Sequence, residues 1–319
     1  MHSGANTDRL VHWLIDSIEL DAAAFHVGQY CGRWRASTAG RTLASFHVIL
    51  HGSCYLHVQG RAPVKLGPRD GVFLLRDIPH FLSPDPDPAA PLPASPMQPL
   101  SFAAPDATGL ACGFFDFRGA LSTLIVGSFP DVVELRADDA AMGAAGTIFD
   151  LMLAEAASNR APDLPPPLIS RLAELLFFYV TRHVARQQDV LSGLLALARR
   201  PEFTALLDGM MREPGNDWST VNMARAVHMS RSSFYKHFVD ASGQAPAQFL
   251  LLLRMKIAAQ QLNGGETIER TAEHVGYRSH AAFSRAFKKV IGEHPGAFRR
   301  QRRGQESGLR MGSAGGLNG

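Results

Sequence analysis

Five residues near the C-terminus recur in register. Phe234, Phe238, Gly243, Pro246 and Phe249 return 49 positions later as Phe283, Phe287, Gly292, Pro295 and Phe298. A chain that writes five positions twice builds one supersecondary unit twice, and such a repeat decides the fold before anything else does. Each copy reads as two short helices around a tight turn.

In the first copy the spacing predicts a short helix over Thr220–Val227, with Ser219 as N-cap and Val221, Ala224 and Val227 facing inward. His228 and Met229 make the turn. Ser230 caps a second helix, Arg231–Val239, whose Phe234 and Phe238 share a buried face. The second copy places Ile268, Ala272 and Val275 inward, Gly276 at the turn where positive φ favours glycine, and Ser279 as the next cap. Its turn is one residue longer. Ala247–Leu262 contains neither Gly nor Pro and predicts a connecting helix.

A helix-turn-helix lays the N-terminal part of its second helix in the DNA major groove, so that surface must clear the core and carry polar or small side chains. Both second helices meet the condition. The stretch 229–262 followed by 275–300 resembles the DNA-binding domain of the AraC family of bacterial transcription regulators. Its GYxSxxxFxRxFKxxxGxxPxxFR pattern falls at Gly276–Arg299. The resemblance implies two recognition helices in adjacent major-groove segments of double-stranded DNA. It assigns base contacts to Arg231, Ser232, Tyr235 and Lys236 in the first helix, and to His280, Ala281, Ser284 and Arg285 in the second. Ala281 has no hydrogen-bonding group and offers only methyl contact to thymine. Lys288, Lys289, Arg299, Arg300, Arg302 and Arg303 are the expected phosphate contacts.

Charge follows the repeat. Residues 219–303 hold 14 Lys/Arg against 5 Asp/Glu, and residues 1–218 hold 17 against 23. The basic excess sits where phosphate binding needs it. No run of eighteen apolar residues occurs and no secretion signal opens the chain, so a cytoplasmic protein without a membrane partner is expected.

The front of the chain predicts short strands at Ala24–Gln29, Ala44–Ile49, Ser53–Val58, Pro63–Leu66, Gly71–Leu75 and Gly109–Phe117. Leu66–Leu82 resembles the second motif of a cupin barrel, and Phe46–Val58 a degenerate first motif. Pro84–Pro105 reads as a long mobile loop. The expected fold is therefore α+β and multidomain. A cupin-like β-barrel sensor covers residues 1–135, and a helical linker and dimerisation segment covers 136–200. An all-α double helix-turn-helix covers 201–303, and a disordered Gly/Ser-rich tail 304–319.

Enzymatic cupins offer a His-x-His, a Glu and a later His. Here His47, His51, His57 and His80 are present, without a His-x-His and without a Glu between Ala22 and Val133. No metal, no cofactor and no catalysis are expected, although His47, His51 and His80 could gather around an ion. Cys31, Cys54 and Cys112 are an odd set that argues against a disulfide framework. They remain redox candidates, Cys31 because Arg33 and Arg35 flank it in sequence. The competing signal is a small apolar or aromatic ligand near Phe46, Phe73, Phe81 and Phe115. In the middle, Ala140–Ala157 and Leu168–Arg186 predict helices, the second with a stripe of Ile169, Leu172, Leu176, Tyr179 and His183. By resemblance this region makes a homodimer.

The expected function is a sequence-specific transcription regulator, an activator working with RNA polymerase, whose sensor answers a small-molecule or oxidant signal. The alternatives are a switch driven by the thiols alone and a cupin metalloenzyme fused to a DNA-binding module.

Overall fold

Short strands buried on both faces decide the N-terminal architecture. In the computed structural model, which describes residues 11–101, 104, 106–137, 143–158, 167–185 and 193–300, eight strands form two antiparallel sheets. The strands are β1 (Glu19–Tyr30), β2 (Ala44–His51), β3 (Cys54–Val58), β4 (Val64–Leu66), β5 (Gly71–Leu74), β6 (His80–Ser83), β7 (Thr108–Arg118) and β8 (Val132–Leu135). A five-stranded sheet runs β1-β7-β2-β5-β8 and a three-stranded sheet runs β4-β3-β6. The expected strands are present, and β6 and β8 are additions.

Between the sheets lies a core of Tyr30, Trp34, Ile49, Cys54, Leu56, Val72, Leu74, Leu82, Leu110 and Cys112. On the other face of the larger sheet Phe46, Phe73 and Phe115 are at most 1% exposed. Phe73 and Phe115 meet Phe177 at centroid distances of 5.9 and 5.2 Å, and Phe46 packs on Phe115 at 5.0 Å. Phe177 belongs to α4 (Pro167–Val184), which pairs with α3 (Gly143–Ser158) and lies along β1. Strand β1 is a sheet edge, and an uncovered edge invites unwanted pairing. Here Glu174 Oε1 accepts the Ala22 N–H and Ser170 Oγ accepts the Ala24 N–H, both at 2.9 Å.

The buried face of α4 is Ile169, Ala173, Leu176, Phe177 and Val180. Leu172 and Tyr179 of the expected stripe are half-buried, and His183 lies outside the residues whose side chains are described. The apolar side chains that α4 leaves in solvent are Leu168 and Leu175, 56% and 52% exposed.

By internal contacts the chain forms two units. One is the sheet pair with α3 and α4, residues Ile18–Arg118 and Phe129–Leu191. The other comprises Met1–Ser17, Gly119–Ser128 and Ser192–Gly319. This second unit is helical: α1 (residues 11–16), α2 (Ala120–Val126), α5 (Gly193–Arg199), α6 (Pro201–Arg212), α7 (Thr220–Ala226), α8 (Arg231–Ser242), α9 (Pro246–Asn263), α10 (Ile268–His274), α11 (His280–Ile291) and α12 (residues 295–300). Helix α2 was not expected. It packs against α5 and α9, and Ser128 Oγ after it accepts the Leu195 N–H at 3.3 Å.

Candidate nucleic-acid interface

The two copies repeat the same ring spacings. The Phe234 and Phe238 centroids lie 5.6 Å apart, as do those of Phe283 and Phe287. All four rings are fully buried. Phe249 then packs on Phe238 at 5.6 Å, and Phe298 on Phe287 at 5.5 Å. Ser219, Ser230 and Ser279 each accept a backbone N–H three residues on, so all three expected caps form, and Thr267 caps α10 in the same way. Such caps satisfy N–H groups that a helix start leaves orphaned. Gly243 and Gly292 end α8 and α11 in the left-handed conformation.

One inward assignment fails. Val221 is 47% exposed, because α7 buries Met223, Ala224 and Val227 instead. A stripe one position off places Val221 on the outer side of the first turn.

With both aromatic faces buried, what remains outside is polar. Arg231, Ser232, Tyr235 and Lys236 of α8 are exposed, as are His280, Ala281 and Arg285 of α11. Ser284 is half-buried, its Oγ 3.2 Å from His294 Nδ1. Lys288, Lys289 and Arg300 are exposed. Arg299 is half-buried, and its Nη2 donates to Gly265 O at 3.2 Å. Arg302 and Arg303 lie outside the described residues.

Arg254, at the middle of α9, was not singled out by the sequence. Its Nε donates to Pro214 O at 2.8 Å and its Nη2 to Asn216 O at 3.0 Å. Burial lowers its pKa from the ordinary guanidinium value. This side chain fastens the 213–217 loop beside Gly276, whose missing Cβ would stand 2.9 Å from Gly215 O.

In the sheet unit the candidate histidines separate. His47 and His80 come together, joined through Thr38. Ile78 O only accepts, so His80 Nδ1–H donates to it at 2.8 Å, leaving Nε2 as a lone pair. Thr38 Oγ1 lies 2.9 Å from that nitrogen and 3.3 Å from His47 Nε2. His47 Nδ1 in turn lies 3.0 Å from Cys112 Sγ. Ser45 Oγ lies 2.9 Å from the same threonine oxygen.

Burial favours the neutral form of both histidines and of the thiol. Burial, with His80 nearby, pushes the His47 imidazole down to about 3, and burial raises the Cys112 thiol far above its usual range. His51 stays apart, against Gly109, with its own bond to the Ala107 backbone. Among the described residues, no three His, Cys, Asp or Glu side chains converge as metal ligands.

Cys54 is also fully buried, its thiol pushed up to about 12. Thiolate, not thiol, reacts with oxidants, so Cys54 and Cys112 are protected. Cys31 is exposed, 3.7 Å from Gln98 Oε1. Its flanking cations are engaged elsewhere, Arg33 on Pro91 O and Arg35 over the Phe81 ring. The proline-rich stretch after β6 is pinned along the 29–35 segment by Gln29–Gln98 backbone pairing and by Arg35 N–H on Pro93 O.

Two family models divide the chain between them. A cupin model matches residues 9–186 and a helix-turn-helix domain model matches residues 223–301. The chain belongs to the AraC family of transcription regulators, with a cupin domain in front. An AraC-like transcription regulator of Streptomyces lividans is 29% identical over 84% of this chain and 90% of its own length. An HTH-type transcriptional regulator of Haemophilus influenzae is 25% identical over 85% and 92%. An HTH-type transcriptional activator of Escherichia coli, named as RCS-specific, is 35% identical over 41% of this chain and 47% of its own length. The AraC-type architecture accounts for the duplicated capped helices and for the basic charge gathered on them. No described helix is long and apolar enough to cross a membrane.

Proposed function

We propose that this AraC-family regulator binds promoter DNA with α8 and α11 in successive major-groove segments and activates transcription with RNA polymerase. The carrying observation is the pair of serine-capped helices that bury equivalent phenylalanines and turn polar first turns outward. Arg231, Ser232, Tyr235 and Lys236 would read bases on one half of the site, and His280, Ala281, Ser284 and Arg285 on the other. Lys288, Lys289 and Arg300 would hold phosphates, joined by Arg302 and Arg303. Arg299 would first have to release Gly265 O. Helix α9, with 18 residues, gives a rod of about 27 Å, suited to two readers roughly one DNA turn apart.

The sheet unit is assigned the sensor role, and a small-molecule signal is favoured over a thiol switch. Two of the three sulfurs are buried and held protonated. The regulator is proposed to act as a homodimer through α3 and α4, which leave Leu151, Leu168 and Leu175 more than half exposed. It is proposed to carry out no catalysis and to work in the cytoplasm.

The test is a footprint of the full chain on DNA upstream of its own gene and the neighbouring genes. Two protected segments about 10 base pairs apart are expected. Uniform binding with no protected segment on any of them would overturn the proposal.

A further inference from the structure

A cavity of about 400 Å³ opens beside the small sheet, between the strap after Trp34, the β3–β4 turn and the start of β6. Small-molecule sites commonly have this size. Its polar lining comes from Arg35, Arg61, Gln59 and His57, and its apolar lining includes Pro63 and Pro79.

Its lining includes a three-layer stack. The Arg35 guanidinium carbon lies 3.7 Å from the Phe81 centroid. The His57 ring lies 4.3 Å from the same centroid, at an interplanar angle of 12°. At those distances the two groups cannot share one face, so the phenyl ring is sandwiched between them. The guanidinium is thereby held in place by a cation–π contact. Arg61 has no ion pair among the described residues, and the β3–β4 turn carries it into the lining.

His57 gives the cavity its chemical preference. The residue is 4% exposed. Its Nε2 lies 3.0 Å from the Asp85 carbonyl and 2.9 Å from Ser83 Oγ, which itself donates to that carbonyl. A carbonyl only accepts, so Nε2 carries the proton. Nδ1 is then a bare lone pair, and it is buried with no hydrogen-bond partner among the described residues. An acceptor left so costs about as much as a lost hydrogen bond, so it calls for a donor from outside. Nearby acids do not fill this role. Asp85 and Asp87 each give Oδ1 to a backbone N–H of their own loop, and carboxylates cannot donate when ionised.

We propose that this cavity is the effector site and takes a small hydroxy acid. Its carboxylate meets Arg61, its hydroxyl donates to His57 Nδ1, and its apolar body lies against the prolines. The site rests on the sensor role proposed above and names its ligand class. It also touches the buried chain, since His80 lines the cavity and is bonded to Thr38, itself joined to His47.

Calorimetric titration of the full chain tests it, with 4-hydroxybenzoate, mandelate and 2-hydroxyhexanoate set against benzoate, phenylacetate and hexanoate. The hydroxy acids are expected to bind about tenfold more tightly than their partners, the value of one satisfied buried hydrogen bond. Arg61→Ala, an exposed substitution that spares the fold, is expected to weaken them tenfold or more. No binding at millimolar concentration by any of the six overturns the proposal. So does equal binding with and without the hydroxyl, or binding that Arg61→Ala leaves unchanged. Promoter binding is measured in parallel. A chain that binds promoter but no acid loses the effector site and keeps the regulator role. One that binds acid but no promoter keeps the site and loses the role.

Discussion

The two halves of the repeat share a core and differ at the turn. In the first half the left-handed position is His228, with φ 55° and an exposed side chain. In the second it is Gly276, with φ 85°, pressed against Gly215. The first half closes its core with Phe203 from outside the repeat, 6.1 Å from Phe234. The second closes with Tyr277 from its own turn, 5.7 Å from Phe283. What duplication preserved is the packing that fixes helix against helix. What diverged are the turn and the outward face, where neighbours and DNA set the demands.

The equality of the cores is the first claim that can be broken. Phe234→Ala and Phe283→Ala each delete a fully buried ring at equivalent sites. Each is expected to cost about 3–5 kcal/mol, within about 1 kcal/mol of the other, by chemical denaturation. A difference larger than that would show that one half carries the domain and the other leans on it.

The turns should then behave unequally. Gly276→Ala puts a Cβ 2.9 Å from Gly215 O at a positive φ, a strain of about 1–3 kcal/mol. It should also shift the 213–217 loop that Arg254 holds. DNA affinity is expected to fall along with the melting temperature. Wild-type stability in this variant would show that the loop contact is not needed to seat the second half.

The same contrast explains what could be read in advance. The repeat, its caps and the turn glycine were legible because each is a local rule written in adjacent residues. Strands β2, β3, β5 and β7 were legible as short segments separated by Gly, Pro and Asp. Strands β6 and β8 were not, because HFLS and VVEL become strands only through pairing with β3 and β5. Val221 was misplaced by one position of helical phase. The Cys112–His47–Thr38–His80 chain joins residues far apart in sequence, through a threonine that no motif marks. Of the aromatic set, Phe73 and Phe115 pack against α4 and Phe46 against Phe115, while Phe81 lines the proposed effector cavity.

Recognition faces should separate where cores do not. Arg285→Ala is expected to cost about 1–3 kcal/mol on the preferred site and to relax specificity at one base pair, if the side chain grips a guanine. Lys288→Ala, in the same helix one turn further on, should weaken all sequences alike and lower the salt slope by about one. Binding titrations at several salt concentrations, on specific and scrambled DNA, distinguish the two. Equal losses on both DNAs for Arg285→Ala would make it a phosphate contact.

The smallest expected effect is the most direct comparison of the turns. His228→Gly gives the first half the glycine that the second half uses. A histidine in the left-handed region carries a steric cost that glycine lacks. Against this, glycine loses about 0.5–1 kcal/mol through its freer unfolded chain. The two terms nearly offset, so a stability gain between zero and about 1 kcal/mol is expected. Because His228 is exposed, the substitution removes no buried contact, and DNA affinity separates what remains. Unchanged affinity would make His228 a turn residue alone. Affinity that falls while stability holds would show why this half keeps a histidine at the position its twin gives to glycine.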